Sequence, residues 1–218
     1  ADVDSDEELY FVWFLQDLKE AGIILDADIN QREIPLSIEF KHGFEHFQGK
    51  KTLYKKEHVF RPTVYTPDFN IQHNLQYREA FYSLLLQGKK FPGQKIPFLS
   101  LNPREHATVV EVKADFDMNR MTGQTMVKIK WVWEKYQMFV QLVKVPSFFE
   151  DTFTPKKYLA RESFVKQVGP KGNKKTVTAK PPKPKWKVKT IEEFVIELNA
   201  AKTRLENHVK NQQQPLLP

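Results

Sequence analysis

Apolar residues recur along this chain with two different spacings, and these spacings predict an alternation of helices and strands. From about Asp6 to Glu20 the spacing is that of an amphipathic helix, and Ser5 with Glu8 three residues later is typical of a helix start. From Glu33 to Phe40 apolar and polar residues alternate, which indicates a strand. This part of the chain therefore predicts a helix followed by a strand.

Further strands are expected around Asp68 and around Glu111, each within a short apolar run. A second helix is predicted from Gln124 to Tyr136, although the alternation of apolar residues in this segment also fits a strand. The run from Met138 to Val145 has the β-rich composition of a strand. With the helix, the element order is α, β, β, β, α, β, which indicates the α/β (α+β) fold class.

The two middle strands carry the candidate chemistry. Glu111 and Lys113 project to the same face of their strand, because successive side chains alternate and Val112 points the other way. If the Asp68 strand pairs beside it, two carboxylates converge with room for a hard divalent cation, and an ammonium lies within reach of a metal-bound water. The alternative is that Asp68, which follows Pro67, marks a turn, and that Glu-x-Lys is only the solvated face of a sheet.

In this order, the motifs resemble the core of the PD-(D/E)XK nuclease superfamily. The resemblance is closest to junction-resolving enzymes of the phage endonuclease I type and to related small phage and transposon nucleases. It covers roughly residues 4–145 and implies a central mixed sheet flanked by helices. It is carried by Ser5-Asp6-Glu7-Glu8, Leu15, Ala21-Gly22-Ile23-Ile24, Tyr65-Thr66-Pro67-Asp68-Phe69, Val110-Glu111-Val112-Lys113 and the basic helix before the last core strand.

The resemblance also implies a role for each matching residue. Asp68 and Glu111 are expected to bind Mg²⁺, with Mn²⁺ as a substitute, together with the main-chain carbonyl of Val112. Lys113 is expected to be the active-site lysine, and Glu8 an additional catalytic acid. Glu8 has a second interpretation as a helix cap, with Glu7 as the neighbouring candidate.

The implied activity is metal-dependent hydrolysis of DNA phosphodiester bonds, with branched (Holliday-type) junctions as the leading substrate and a phage as the source. The alternative is a catalytically silent protein of the same fold that binds nucleic acid or takes part in an assembly. The intact Asp68, Glu111 and Lys113 favour the enzyme.

Residues 1–160 are expected to form the nuclease core, with an insertion at about 71–107 that compact family members lack. The insertion contains a predicted helix from Tyr77 to Gln87 and a loop rich in Pro, Phe and Lys. Such an insertion is tolerated between antiparallel strands because the entropy of loop closure grows slowly with loop length.

Charge is distributed unevenly, and the net charge of +7 favours a polyanionic partner such as DNA. Residues 161–189, the basic arm, are expected to be an extended, polyproline-like linker in which Trp186 stacks on an exposed base; the alternative is a solvated tether between domains. Lys50, Lys51, Lys55 and Lys56 are further candidates for the DNA face. The predicted nucleic-acid contacts are Lys128, Lys130, Lys174, Lys175, Lys183, Lys185 and Lys187.

Residues 190–218 are expected to form a C-terminal helix, Thr190 to Gln212, and a loose tail. Its apolar stripe needs burial, either on the core or against a second subunit, and we predict a homodimer through this helix. No apolar stretch is long enough to span a membrane, and Cys is absent, so the expected location is the cytoplasm, that of the bacterial host if the protein is phage-encoded.

Overall fold

The computed structural model describes residues 3–29, 32–86, 107–113, 123–170 and 173–213. Its helices are α1 (Asp6–Glu20), α2 (Leu75–Leu86), α3 (Gln124–Tyr136), α4 (Val145–Asp151), α5 (Lys156–Leu159) and α6 (Ile191–Gln213). Its strands are β1 (Ile24–Ile29), β2 (Ile34–Ser37), β3 (Phe40–Gln48), β4 (Lys51–Phe60), β5 (Thr63–Tyr65), β6 (Phe69–His73), β7 (Ala107–Val112), β8 (Val140–Val143), β9 (Phe164–Val168) and β10 (Lys175–Ala179).

A mixed four-stranded sheet with the order β1-β6-β7-β8 forms the centre of the protein. β6 is antiparallel to β1 and β7, whereas β8 is parallel to β7. Parallel neighbours need a crossover connection, and α3 lies in it. The segment from Gln124 to Tyr136 is therefore a helix with the predicted bounds, and the strand interpretation is wrong. The mixed α and β class with a central mixed sheet is confirmed.

The main core lies between α1 and one face of this sheet. Ser5 caps α1, and nearly every apolar residue of the helix is buried. Phe11 packs edge-on against Phe69 of β6, while Phe14 stacks on Phe153 with ring centroids 4.4 Å apart. A second, smaller cluster on the other face includes Val109 of β7 and Val132 of α3. The central strands are thus covered on both faces, as expected for parallel and mixed sheets.

The strand expected from Glu33 to Phe40 is shorter than predicted. β2 ends at Ser37 and pairs with β5, and Phe40 already begins β3, which pairs with β4. We call the β3–β4 pair, residues 40–60, the β-ribbon. Every residue of β4 is exposed, so the ribbon stands away from the core. The apolar residues of the ribbon do not face a core, so the hydrophobic pattern of this segment did not predict its two strands.

The basic arm is an extended linker only in its second half, because residues 180–190 have neither helix nor strand whereas the first half pairs with itself. β9 and β10 form an antiparallel hairpin within it, in which β-branched residues such as Val177 and Thr178 favour extended pairing. Trp186, expected to stack on a base, packs against Phe149 and Tyr158, and its Nε1 donates to Thr154 Oγ1 at 2.9 Å. Trp186 therefore has a packing role, and its stacking on a base stays a prediction.

The C-terminal helix α6 is part of the main core. Ile191, Phe194, Leu198 and Ala201 are buried in the same cluster as α1, and α6 also packs against α2. The apolar stripe is covered by its own chain, so it supplies no reason for a dimer. The dimer itself stays a prediction.

Two predictions on the insertion and the tail fall partly outside the described residues. α2 confirms the helix expected from Tyr77, but the rest of the insertion, residues 87–106, lies outside them. So do residues 214–218 of the predicted tail. None of the helices in the described ranges is long and apolar enough to cross a membrane.

Candidate active site

Asp68 and Glu111 face each other across two neighbouring strands. Asp68 lies directly before β6, and the register that pairs Phe69 with Val110 brings Asp68 opposite Glu111 at the next position. The amide of Val112 donates to Asp68 Oδ2 at 2.6 Å, which fixes the aspartate carboxylate to the end of β7. The structure therefore brings the two predicted metal ligands together.

Lys113 lies on the same side as the carboxylates, as alternation along β7 predicts. Its Nζ is 2.7 Å from Glu111 Oε1. Its main-chain amide donates to Val143 O and so continues the pairing with β8. Glu111 is only 6% exposed, so its negative charge lies in a largely dry environment beside this ammonium.

Tyr65 holds the second oxygen of Glu111, and this role was missed from the sequence. The buried hydroxyl, at the end of β5, donates to Glu111 Oε2 at 2.7 Å. Each carboxylate oxygen keeps a further lone pair, so Glu111 can still bind an ion. The sequence signal for this role was the position of Tyr65, three residues before Asp68. A buried tyrosine normally has a hydrogen-bond partner for its hydroxyl, and a polar residue of the site can supply it.

Arg32 is a second residue that sequence reasoning missed. Its Nη1 donates to Asn70 Oδ1 at 3.1 Å, and Asn70 lies two residues after Asp68, on the same face of β6. A guanidinium is therefore fixed along the strand that carries the aspartate. Nothing in the local sequence around Arg32 predicts this contact, which joins residues far apart in the chain.

The charged groups of the site shift the pKa values of one another. Burial and the neighbouring charge of Glu111 raise the pKa of Asp68 from an ordinary value of 3.8 to about 7, although Val112 N–H and Lys113 act against this. Burial by itself would lower the pKa of Lys113, but the hydrogen bond and charge of Glu111 outweigh it and raise that pKa. A buried carboxylate, Glu111, and a partly buried one, Asp68, that repel each other in this way form a site that favours a cation.

Glu8 acts as a helix cap. Its Oε1 accepts from Ser5 Oγ at 3.0 Å and its Oε2 from the amide of Asp4 at 3.0 Å, while its own amide donates to Ser5 Oγ. Its charge nevertheless contributes to raising the pKa values of Asp68 and Lys113. The structure therefore places Glu8 near the site with both oxygens engaged, and leaves its catalytic role a prediction.

An oxygen-only pair of carboxylates fits a hard divalent ion. In the described part of the chain no group of three or more His, Cys, Asp or Glu side chains is arranged to hold a metal. Mg²⁺ is commonly bound through one or two carboxylates, with the remaining positions taken by waters and substrate phosphates. Asp68 and Glu111 satisfy that requirement, and the carbonyl of Val112 stays a predicted ligand.

The predicted DNA-binding lysines lie on three segments of the chain. Lys128 on α3 donates to Val64 O at 3.1 Å. Lys130, two residues later on the same helix, is exposed. Lys174 and Lys175 lie on the β9–β10 hairpin, whose Lys166 forms an ion pair with Asp6 at the start of α1. Lys183, Lys185 and Lys187 are exposed on the irregular segment after the hairpin.

Comparison with known proteins gives no match: no family model, no curated protein and no solved structure is significantly similar to this chain. The resemblance to PD-(D/E)XK nucleases therefore rests on the sequence motifs and on the arrangement of Asp68, Glu111 and Lys113.

Proposed function

We propose that the protein is a divalent-metal-dependent endonuclease of the PD-(D/E)XK type that hydrolyses DNA phosphodiester bonds. The observation that carries the proposal is the pairing of Asp68 with Glu111 across β6 and β7, with Lys113 Nζ 2.7 Å from Glu111. A carboxylate pair, a lysine on the same face and a neighbouring carboxylate on a helix cap are difficult to explain as packing alone, because burying like charges is costly.

Asp68 and Glu111 are the residues that would hold Mg²⁺ or Mn²⁺, and the bound ion would supply neutralisation of charge at the scissile phosphate. Val112 N–H orients the carboxylate of Asp68, and the Tyr65 hydroxyl orients that of Glu111, each through a hydrogen bond. These contacts fix the carboxylate geometry before substrate binds, which is the usual role of residues that support metal ligands.

Lys113 is expected to act as a cation. Its pKa is raised by Glu111, so its amino group is protonated at neutral pH and has no lone pair with which to remove a proton. It can donate hydrogen bonds from Nζ to the attacking water or to a phosphate oxygen. Lys113 is therefore expected to orient the attacking water and to stabilise the negative charge that develops on the phosphate as one phosphorus–oxygen bond forms and another breaks.

DNA is the proposed partner, with four-way junctions as the leading substrate by resemblance, and the bacterial cytoplasm as the proposed location. Paired incisions at a junction need two active sites, so we keep a homodimer as a prediction. Its interface is not the stripe of α6, which is buried within the chain. Light scattering of the full-length protein at micromolar concentration tests the dimer, and a monomer contradicts it.

A Mg²⁺-dependent cleavage assay on a four-way junction, a linear duplex and a single strand tests the function. Asp68→Asn and Glu111→Gln are expected to abolish cleavage while DNA affinity, measured in Ca²⁺, is largely kept. Glu134→Gln on the exposed surface of α3 is the matched control and should cut normally. Cleavage that survives both active-site changes, or no cleavage of any substrate with Mg²⁺ or Mn²⁺, contradicts the proposal.

A further inference from the structure

The β-ribbon begins at the proposed active site. β5, whose last residue Tyr65 bonds Glu111, pairs with β2, and these two strands continue directly into β4 and β3. The helix α3 fastens this base, because Lys128 donates to Val64 O and Lys135 to Pro35 O. The direction in which the ribbon leaves is therefore fixed relative to the carboxylate pair.

Beyond this base the ribbon has no substantial packing against the rest of the described chain. Its strands pair with each other, and all of β4 is exposed. Phe47 and Tyr54 are 71% and 68% exposed, which is a high exposure for aromatic side chains. Isolated two-stranded ribbons are only marginally stable in water, so an element of this kind is expected to gain order from a partner.

The charge of the ribbon indicates which partner. Lys50 and Lys51 lie at its turn and Lys55 and Lys56 shortly after, and in the described part of the chain none of the four takes part in an ion pair. Glu39, at the base of the ribbon, is already bound to Lys41 and His58. The outer half of the ribbon, residues 45–56, carries these four lysines and one acid, Glu45, and is therefore net positive.

These cations lie on both faces of the ribbon. Lys51 and Lys55 share one face, because side chains alternate along a strand, and Lys56 lies on the other. A flat acidic surface on a protein would meet one face only. The major groove of a duplex has phosphates along both walls, which long lysine side chains from either face can reach, and at about 12 Å wide it admits a two-stranded ribbon.

We propose that the β-ribbon lies in the major groove of duplex DNA beside the cleavage site, with Lys50, Lys51, Lys55 and Lys56 bound to phosphates on the two walls. The inference rests on the proposed function for the identity of the ligand. The ten residues of β4 extend over roughly 33 Å, at about 3.3 Å per residue. One turn of duplex is about 34 Å, so the ribbon reaches about one turn from the cut.

A requirement for duplex on one side of the cut follows from this geometry. The side toward which the ribbon projects has to supply about one helical turn, roughly 10 base pairs, before all four lysines find phosphates. The other side carries no such requirement from the ribbon. The protein is thus expected to measure the DNA asymmetrically, even when the two flanks have the same sequence.

The first test is binding of a fluorescent duplex at several salt concentrations, in Ca²⁺ so that cleavage does not interfere. Lys50→Gln, Lys51→Gln, Lys55→Gln and Lys56→Gln are combined in one variant. The slope of log affinity against log salt is expected to become shallower by about 3 to 4, since each lost phosphate contact removes about 0.9. The matched variant with Arg at the same four positions keeps the charge and should keep the slope.

The second test uses the unaltered protein on duplexes shortened from either side of the cut. The ratio kcat/KM should fall at least about tenfold when one flank, and only one, is shorter than about one turn. In the four-Gln variant this dependence on flank length should disappear.

An unchanged salt slope in the four-Gln variant overturns the inference, and so does a matching loss in the Arg variant, because that loss shows a structural rather than an ionic role. A protein partner or a second copy of this chain that binds the ribbon, with DNA affinity unaffected, overturns it as well. Failure of the proposed function is recognised separately, as the absence of cleavage by the unaltered protein on every substrate.

Discussion

The Tyr65 hydroxyl donates a 2.7 Å hydrogen bond to Glu111 Oε2, and so joins the base of the β-ribbon to a proposed metal ligand. Lys113 occupies the other oxygen of the same carboxylate at 2.7 Å. Glu111 is therefore oriented from two sides by groups on different strands. This arrangement makes Tyr65 a positioning residue, because it acts on the substrate only through Glu111.

Tyr65→Phe is expected to lower the cleavage rate and to raise the Mg²⁺ concentration needed for half-maximal activity, each by about 10- to 100-fold. The reason is that Glu111 loses the contact that fixes its orientation, while the phenyl ring keeps the packing. Metal titrations of single-turnover cleavage give both quantities. Tyr77→Phe, in α2 and outside both the site and the ribbon, is the matched control for loss of a hydroxyl. An unchanged metal requirement in Tyr65→Phe contradicts the positioning role.

The raised pKa of Asp68 predicts how metal dependence changes with pH. Because this pKa is about 7 rather than 3.8, the folded protein holds a proton on Asp68 at mildly acidic pH. An ion has to displace that proton, so the Mg²⁺ concentration for half-maximal cleavage should rise by up to about tenfold per pH unit below pH 7. Above pH 7 it should be nearly constant. A requirement that stays flat between pH 5 and pH 7 contradicts the prediction.

The same pKa has a consequence for the stability of the metal-free protein. A carboxyl whose folded pKa is raised stabilises the fold at low pH, and this stability is lost as the pH rises from about 4 to about 7. Asp68→Asn removes the partly buried charge, so it should raise the melting temperature at pH 8 much more than at pH 4. Thermal unfolding in EDTA at the two pH values measures the difference, and an equal shift at both values shows another cause.

Replacing Trp186 and, for comparison, the exposed Trp133 tests whether Trp186 contributes to packing or to DNA binding. Trp186→Ala should reduce the free energy of unfolding by about 2 to 4 kcal/mol, because the ring packs on Phe149 and Tyr158. Its effect on DNA affinity should be small at temperatures where the variant is folded. Trp133→Ala, 44% exposed on α3, should cost less than about 1 kcal/mol. A large loss of DNA affinity in folded Trp186→Ala favours the base-stacking role.

The burial of α6 is tested by two residues on opposite sides of the helix. Phe194→Ala should reduce the free energy of unfolding by about 3 to 5 kcal/mol, since its ring is fully buried beside Phe153. Ile196→Ala, 70% exposed, should change it by no more than about 0.5 kcal/mol. Denaturant unfolding measures both. Similar values for the two variants contradict the packing of α6 on the core.

The elements that the sequence predicted well have strong local signals. The bounds of α1 follow from Ser5 as the cap and from a long amphipathic run, and α3 is confirmed between Gln124 and Tyr136. The meeting of Asp68 with Glu111 follows from alternation together with adjacent strands, which needs only short-range reasoning. The two candidate metal ligands, Asp68 and Glu111, could therefore be predicted from the sequence.

The β-ribbon and the β9–β10 hairpin were not predicted, for two different physical reasons. Hydrophobic alternation reports a strand only when one face is buried, and the ribbon has no buried face. In the hairpin, Lys, Pro and Gly obscured two short β-branched runs. The contact of Tyr65 with Glu111 joins residues 46 positions apart, and it depends on strand register that no local pattern contains.

The position of α6 has a consequence for how the protein is made. The proposed catalytic residues precede α6 in the chain, yet Ile191, Phe194 and Leu198 complete the core on which α1 is packed. During synthesis the N-terminal segments therefore emerge before the helix that covers them has been translated. Contacts so distant in sequence also slow folding, because closing a long loop costs entropy before the contact can stabilise the fold. The proposed nuclease activity is thus expected to appear only after α6 has left the ribosome, although every proposed catalytic residue is translated earlier.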